Sequence, residues 1–259
     1  MRTLQNQVAV ISGGLGDIGR AIALELARRG ADIAIGDVRD ASAAHGVGEQ
    51  LRELGVRSRY DVVDVADAAA VTAWIATIEN ALGVPTLIIP NAAIVTVAGV
   101  RDVTSAQWSR ELGINLNGAF HLAQAGALRM LAHKKPGRIV FVGSWAGHAP
   151  HSNITTYCVA KAGLRMLCKC MAVDLAPDGI LVNEVAPGYV DAGLSASLWK
   201  QNPGAKEAAA QRVPTGQLID AAEVALQVAH LCEPSNRHMT GSTLLMDGGL
   251  SLVTPGKRK

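Results

Sequence analysis

The sequence predicts an α/β fold of the doubly wound type, in which helices cover both faces of a parallel sheet. Along the 259 residues, short apolar runs alternate with longer amphipathic stretches. The apolar runs lack the polar alternation of a half-exposed strand, and strands buried on both faces favour a parallel sheet. A glycine-rich turn lies between the first strand and the first helix. Together these observations predict one domain over residues 1–259.

The strands and helices follow from the positions of these runs. Residues 8–11 form a short apolar run, and residues 87–89 lie between Pro85 and Pro90, which limits them to a short strand. The strands are expected at 8–11, 33–35, 59–65, 87–89, 138–142, 180–185 and 243–246. The helices are expected at 17–29, 49–54, 68–82, 106–131, 155–175 and 220–231.

One segment, 189–218, interrupts this alternation. It is polar, contains Pro203, Gly204, Pro214 and Gly216, and is longer than a simple connection. Loops of that length usually act as lids or are disordered. We expect a lid over the substrate.

The composition excludes several classes of protein. Charged residues make up 18% of the chain and the net charge is +2, too little for a protein that mainly binds nucleic acid. The basic residues 257–259 are expected to be a solvated terminus. No apolar run approaches the roughly 18 residues that span a bilayer, and the N-terminus does not resemble a signal peptide. We therefore expect no membrane partner.

The four cysteines indicate neither a disulfide framework nor a metal site. They show no C-x-x-C spacing, and three of them lie in one helical segment, which favours a reducing cytoplasm. Cys168 and Cys170 point to different sides of that helix. Asp61, Asp64 and Asp67 are also too scattered to form a metal site, so none is predicted.

A cofactor site is predicted at the turn 12–19, which follows the first strand. Its glycines allow a tight turn and let a pyrophosphate approach the helix N-terminus, where N–H groups point outward. The turn contributes Gly13, Gly16, Asp17, Ile18 and Gly19 to this site. The alternative is a structural turn in which Asp17 caps the helix.

Asp37 indicates which cofactor binds. It lies at the end of the second strand, 18 residues after Gly19. A carboxylate there can accept hydrogen bonds from ribose hydroxyls and would repel a 2′-phosphate, so NAD is predicted rather than NADP. Arg39 could favour the phosphate, and pairing with Asp37 or Asp40 is its alternative role.

A catalytic group is predicted at the start of the helix 155–175. Tyr157 and Lys161 are four residues apart and share a helix face, so the ammonium can lie near the phenol. That charge, with the positive ring of an oxidised nicotinamide, would lower the tyrosine pKa and make it a usable base. Ser144 follows a strand at the edge where ligand crevices open, and could bind the substrate oxygen. Asn115 lies inside a helical stretch, where an amide is usually only solvated or part of a cap.

The order of these motifs resembles that of the short-chain dehydrogenase/reductase family over about residues 7–249. The matching motifs are the turn 13–19, Asp64-Val65, Asn91-Ala92-Ala93, Asn115, Ser144, Tyr157-x-x-x-Lys161, Asn183, Pro187-Gly188 and Asp247-Gly248-Gly249. The resemblance implies a Rossmann-like seven-stranded parallel sheet. It also implies a homotetramer or homodimer built on two long central helices.

The resemblance further implies residue roles. Tyr157 would be the acid/base, Lys161 would bind the nicotinamide ribose and lower the tyrosine pKa, Ser144 would orient the reacting oxygen, and Asn115 would hold a water of the proton relay. The implied cofactor contacts are Asp64 with adenine, Asn91 with the adenosine-side ribose and Val190 with the carboxamide, together with Val65, Ala92 and Pro187.

Three positions depart from the family pattern. Asp17 replaces the usual glycine and brings a carboxylate close to the pyrophosphate. Ala92-Ala93 replaces Ala-Gly, which is a small steric change. Ala192 replaces a threonine that often binds the carboxamide.

Several residues are open to two interpretations. His148 and His151 could bind a polyhydroxylated substrate or lie in a solvated loop, and Trp145 could be a substrate wall or part of the core. Glu184 lies in an apolar strand, where a carboxylate requires a partner that the sequence does not name.

The predicted function is an NAD-dependent oxidoreductase for a secondary alcohol or ketone. The polar lid and the nearby histidines favour a sugar or polyol, followed by a 3-oxoacyl thioester and a steroid-like alcohol. The alternative of another class is a non-catalytic NAD-binding sensor or scaffold on the same fold.

Overall fold

The computed structural model describes residues 2–201 and 204–252. Within them, the predicted strands form one all-parallel sheet in the order β3-β2-β1-β4-β5-β6-β7. The strands are β1 Val8–Ser12, β2 Asp32–Asp37, β3 Ser58–Val62, β4 Leu87–Ile89, β5 Gly137–Val142, β6 Ile180–Pro187 and β7 Thr243–Met246. The order reverses between β1 and β4, and such a switch point opens a crevice at the carboxyl ends of the strands.

Helices cover both faces of the sheet, as predicted for a doubly wound fold. They are α1 Asp17–Arg28, α2 His45–Glu53, α3 Ala68–Leu82, α4 Ser105–Leu112, α5 Ala119–Ala132, α6 Thr155–Leu175, α7 Gly193–Gln201, α8 Ala205–Arg212 and α9 Ala221–Cys232. Helices α1, α2 and α9 pack on one face, and α3, α5 and α6 pack on the other.

Strand β1 shows why polar and apolar residues do not alternate along the apolar runs. Ala9 and Ile11 belong to the core under α1 and α9, whereas Val8 and Val10 belong to the core on the opposite face. Both sets of side chains are therefore buried, and each large aliphatic side chain buried in this way stabilises the fold by about 1.5–3 kcal/mol. Substitution of one of these side chains by a polar residue, on either face, would remove this stabilisation.

Helix α2 begins at His45, four residues before the expected start at 49. Two further elements differ from the prediction, each for a local reason. Strand β3 was expected at 59–65 but ends at Val62, because its only neighbour, β2, ends at the paired residue Asp37. The helix expected at 106–131 is divided by a π-helical segment, Gly113–Gly118, between α4 and α5. Segments of this kind occur most often at functional sites.

The segment 189–218 contains helical structure that the sequence did not predict. Residues Gly193–Gln201 form α7 and Ala205–Arg212 form α8. The prediction of a polar loop was wrong here, because proline and glycine mark the ends of these helices rather than an irregular chain. Pro203 and the basic residues 257–259 lie outside the described residues. None of the described helices is long and apolar enough to cross a membrane.

Candidate active site

A cavity of about 1020 Å³ lies at the carboxyl ends of the central strands. It is lined by the predicted site residues Gly13, Gly16, Asp17, Ile18, Gly19, Asp37, Asp64, Val65, Asn91, Ala92, Ser144, Tyr157, Lys161, Pro187 and Val190. Asn115 is the predicted residue that is not part of the lining. The structure therefore brings together residues from the carboxyl ends of six strands, β1 to β6, with residues of α6 and of the segment 189–218.

The glycine-rich turn forms one end of the cavity. Gly13 has a φ angle of 63°, and a Cβ there would lie 2.8 Å from the Cα of Ala92, so the turn and the segment after β4 are in close contact. The Asn91 side chain secures this contact, because its Nδ2 donates to the carbonyl of Ser12 at 2.9 Å and to that of Gly13 at 3.1 Å. A turn held in this way directs the N-terminus of α1 at the cavity, where it can bind a pyrophosphate.

Asp17 does not cap α1, contrary to the structural alternative. Gly16 is the N-cap residue, and the Asp17 carboxylate accepts a hydrogen bond of 2.7 Å from the N–H of Gly193. Gly193 begins α7, so the carboxylate that replaces the usual glycine connects the glycine-rich turn to the segment 189–218. Ala192 lines the cavity beside it.

Asp37 lies at the opposite side of the turn, at the end of β2. Its carboxylate accepts a hydrogen bond from the Leu15 N–H at 3.2 Å and forms an ion pair with Arg39 at 3.1 Å. Burial opposes the negative charge, but the hydrogen bonds and charge of Arg39 and the Leu15 N–H outweigh it and hold the pKa of Asp37 below its usual value. Asp37 is therefore a carboxylate, and Arg39 has the pairing role that the sequence left open.

Tyr157 and Ser144 lie at the inner end of the cavity. Tyr157 is the third residue of α6, and Ser144 follows β5. Burial raises the pKa of Tyr157 to about 12, and the hydrogen bond with Ser144 offsets part of this effect. In the free chain burial therefore outweighs the lowering expected from Lys161, and we expect the positive ring of an oxidised cofactor to add to the effect of the ammonium.

Lys161 lies beneath Tyr157, with its Nζ 5.5 Å from the centre of the tyrosine ring. Its ammonium donates to the Val142 carbonyl at 2.8 Å. Burial lowers the pKa of Lys161 to about 8, although Glu184 and Glu111 act in the opposite direction. The buried amine therefore titrates close to physiological pH.

Asn115 lies in the π-helical segment and is 1% exposed. Its side chain accepts from the N–H of Ile94 at 2.9 Å and donates to the Ile94 carbonyl at 2.8 Å. The amide is therefore used to hold the chain after β4 beside the cavity. A relay water at this residue would have to bind its main chain.

Two ionic residues of this region, the buried Glu111 and the half-buried Arg165, were not predicted as site residues. Glu111 lies in α4 four residues before Asn115, and Arg165 lies in α6 four residues after Lys161. Each therefore shares a helix face with a predicted catalytic residue. That spacing was the signal that could have identified them.

Arg165 is the partner that the sequence could not name for Glu184. The fully buried Glu184 accepts from Arg165 Nε at 3.1 Å and from the Thr243 hydroxyl at 2.6 Å. Arg165 also donates to the Gly147 carbonyl at 2.7 Å. The pair thus supports the turn that carries Ser144.

Aromatic and imidazole rings form the wall next to Tyr157. Trp145 lies edge-on to His151, with the ring centres 4.0 Å apart, and edge-on to Tyr189 at 5.4 Å. Trp145 is therefore a cavity wall. His151 also lines the cavity, and its Nε2 is buried without a hydrogen-bond partner among the described residues. Burial and the charge of Arg212 lower the pKa of His151, so it is neutral near pH 7.

These residues fit a nicotinamide dinucleotide. The glycine turn leaves space where a Cβ would collide, α1 offers N–H groups to a pyrophosphate, and Asp37 can bind a ribose. The described residues contain no group of three or more potential metal ligands. The fold and the site therefore define a dinucleotide-binding oxidoreductase.

Comparisons with known proteins identify the family. A family model described as "Enoyl-(Acyl carrier protein) reductase" matches residues 14–251. The 3-oxoacyl-[acyl-carrier-protein] reductase FabG of Pseudomonas aeruginosa is 34% identical over 248 residues, which are 96% of this chain and 98% of that protein. The chain belongs to the short-chain dehydrogenase/reductase family, whose members use a nicotinamide cofactor to interconvert carbonyl and CH–OH groups.

Solved structures agree with this assignment. A structure of NAD⁺-bound xylitol dehydrogenase has a TM-score of 0.88 and 31% identity, and the match covers 95% of this chain and 99% of that one. A gluconate 5-dehydrogenase from Burkholderia cenocepacia, in complex with NADP and tartrate, has a TM-score of 0.91 and 30% identity, with 98% of both chains covered.

Proposed function

We propose that this chain is an NAD-dependent dehydrogenase that interconverts a secondary alcohol and a ketone on a sugar or polyol. The observation that carries the proposal is that Ser144 and Tyr157 line the same cavity as Asp37, so that two hydroxyl groups and a carboxylate face one space. This arrangement can bind a small hydroxyl compound next to a dinucleotide.

The residues of the chain would handle the proton. Ser144 would hold the substrate oxygen, and Tyr157 would accept the hydroxyl proton during oxidation or return it during reduction. The Lys161 ammonium beneath the ring would favour the phenolate. The bound nicotinamide would accept or supply the hydride.

The choice of NAD rests on Asp37. A 2′-phosphate bound at the end of β2 would meet this carboxylate, whose pKa lies below its usual value. The NAD⁺-bound xylitol dehydrogenase supports this choice. The NADP-bound gluconate 5-dehydrogenase points the other way, and Arg39 would then have to leave Asp37 to bind the phosphate.

The choice of substrate rests on the wall formed by Trp145, His151 and Tyr189. A neutral imidazole with a buried, unpartnered nitrogen can bind a hydroxyl group, and the rings can cover the carbon skeleton of a sugar. Xylitol and gluconate are the substrates named for two structural relatives.

A 3-oxoacyl thioester is the second candidate. It is favoured by the 34% identity with the 3-oxoacyl-[acyl-carrier-protein] reductase. Such a substrate would extend beyond the cavity as a long chain, so a broad opening beside α7 would be required.

The experiment is an absorbance assay of reduced nicotinamide with the full chain. Oxidation of xylitol, gluconate and related polyols with NAD is compared with reduction of a 3-oxoacyl thioester by NADH and NADPH, and Tyr157→Phe serves as the control. Faster turnover of the polyols with NAD supports the proposal, and a preference for the thioester supports the second candidate. Cofactor binding without turnover of either class would favour a non-catalytic protein. A cytoplasmic location and a homotetramer or homodimer remain predictions.

A further inference from the structure

Tyr60 lies on β3, beside the end of β2 where Asp37 would bind the ribose of the cofactor. It pairs with Ile35 in the parallel ladder of the two strands, and its half-buried ring packs against the core under α1 and α2. Its hydroxyl donates a hydrogen bond to the carbonyl of Arg39 and lies 3.5 Å from the carbonyl oxygen of Asp37. A phenylalanine ring would fill the same space, so packing alone does not account for the hydroxyl.

The main chain of Arg39 depends on this hydroxyl. The ladder between β2 and β3 ends at the pair of Asp37 and Val62, so Arg39 lies beyond the last strand bonds. The carbonyl of Asp37 already accepts the Val63 N–H at 2.9 Å. For the carbonyl of Arg39, the Tyr60 hydroxyl is the only donor among the residues that the structure describes. The hydroxyl therefore fixes the chain just after the strand end that faces the cavity.

Arg39 is thus held at both ends of its main chain. Its N–H donates to Asp37 Oδ1 at 3.3 Å, and its carbonyl is bound by Tyr60. In this position the guanidinium turns back onto Asp37, with Nε 3.2 Å from Oδ1 and Nη2 3.1 Å from Oδ2. The Arg39 side chain is 49% exposed, so the surrounding packing does little to restrain it. The ion pair therefore depends on where the main chain of Arg39 is held.

The phenol suits this role because it keeps its proton. Burial and the negative charge of Asp37 raise the pKa of Tyr60. A protonated hydroxyl has one hydrogen to donate, and the Arg39 carbonyl receives it. The connection between β3 and the chain after β2 is therefore present throughout the neutral pH range.

We propose that Tyr60 is a positioning residue for cofactor selectivity, whose hydroxyl holds the main chain of Arg39 so that the guanidinium pairs with Asp37 and is not available to a 2′-phosphate. This rests on the proposed use of NAD. Asp37, Val38 and Arg39 all line the cavity, so a shift of this short segment changes the groups that the adenosine ribose meets. Without the hydroxyl, Arg39 can leave Asp37 and approach a phosphate, a group that guanidinium binds well.

The test is calorimetric binding of NADH and NADPH to the full chain, without substrate. The quantity compared is the ratio of the dissociation constant for NADPH to that for NADH. Tyr60→Phe keeps the ring and removes the hydroxyl, and we expect this ratio to fall roughly 2- to 10-fold, the effect of one neutral hydrogen bond. Thr72→Val on α3 removes an exposed hydroxyl that also donates to a main-chain carbonyl, and it should leave the ratio unchanged.

The same substitution in the Arg39→Met background separates selectivity from a general structural role of Tyr60. If Tyr60 acts through Arg39, Tyr60→Phe should leave the ratio unchanged there, because no guanidinium remains to be released. An equal fall in both backgrounds, or a ratio that is unchanged or raised in Tyr60→Phe alone, would overturn the proposal. The ratio of the unaltered chain tests the choice of NAD separately. Tighter binding of NADPH by that chain would contradict the proposed cofactor, and the comparison between variants would still decide the role of Tyr60.

Discussion

The carboxylate of Asp17 in the phosphate-binding turn is hydrogen-bonded to the main-chain N–H of Gly193 in the lid, at 2.7 Å. The bond connects residues 176 positions apart in the chain. It also places a negative charge at the N-terminus of α1, where a pyrophosphate would bind. Asp17 is therefore expected to have two opposing effects on cofactor binding: its hydrogen bond holds the start of α7, and its charge would repel the pyrophosphate.

Asp17→Asn separates these two effects, because the amide oxygen can still accept from Gly193 while the charge is lost. We expect the dissociation constant for NADH to fall roughly 2- to 5-fold, as for removal of about 0.3–1 kcal/mol of repulsion at a helix N-terminus. Calorimetry measures the change, and Asp40→Asn is the control on a nearby exposed carboxylate. Weaker binding would mean that the Asp17 charge is needed to hold the lid.

We expect Asp37 to control the selectivity between NAD and NADP. Asp37→Ala removes the carboxylate that a 2′-phosphate would meet and releases Arg39 from its ion pair. The ratio of kcat/KM for NAD to that for NADP should fall on the order of 10- to 100-fold. Asp37→Asn, which keeps an acceptor for the Leu15 N–H, should change the ratio in the same direction. A ratio that stays constant in both variants would show that selectivity arises elsewhere.

The buried pair of Arg165 and Glu184 supports Ser144, so its loss should reduce turnover. Arg165→Met leaves Glu184 buried without its cation and should cost about 3–5 kcal/mol of unfolding free energy. In the double variant Arg165→Met, Glu184→Leu most of that stability should return. Turnover should stay low, since the Gly147 carbonyl still lacks its donor.

The free energy of unfolding and kcat are measured for Arg165→Met, for Glu184→Leu and for the double variant. Together they separate the contribution of the pair to stability from its support of Ser144. Recovery of kcat together with stability in the double variant would mean that the pair is structural alone. An unchanged KM for the cofactor is expected in all three variants, because Arg165 contacts the Ser144 turn and not the glycine turn.

Much of this site could be predicted because its signals are local in sequence. The glycine turn, Asp37 at a strand end, and the i, i+4 spacing of Tyr157 and Lys161 each lie within one or two elements. The alternation of buried runs likewise predicted the parallel sheet, since every residue of β1 is buried. Such patterns depend on the helix and strand periods and on little else.

The remaining features depend on contacts between distant elements. Glu184 and Arg165 meet only after β6 and α6 have packed, and Thr96 contacts Glu111 only when the chain after β4 lies on α4. The pKa of Tyr157 could not be predicted either, because burial, which raises it to about 12, outweighs the residues that adjoin it in sequence. The pKa of a buried side chain depends on its burial and on the surrounding charges, and both are set by contacts from the whole fold.

The buried amine of Lys161 should reduce the stability of the folded chain at neutral pH. Its pKa falls from 10.5 to about 8, a gap that corresponds to roughly 3 kcal/mol. Because the folded-state pKa is the lower one, the penalty is complete below about pH 8 and disappears as the pH rises towards 10.5.

Lys161→Met removes the penalty but leaves the Val142 carbonyl without its donor, at a cost of about 1 kcal/mol. We therefore expect the variant to be inactive yet more stable at pH 7 by about 2 kcal/mol, with the gain vanishing near pH 10. Urea unfolding at both pH values, with exposed Lys134→Met as the control, measures it, and a gain that is equal at both would exclude the charge as its source.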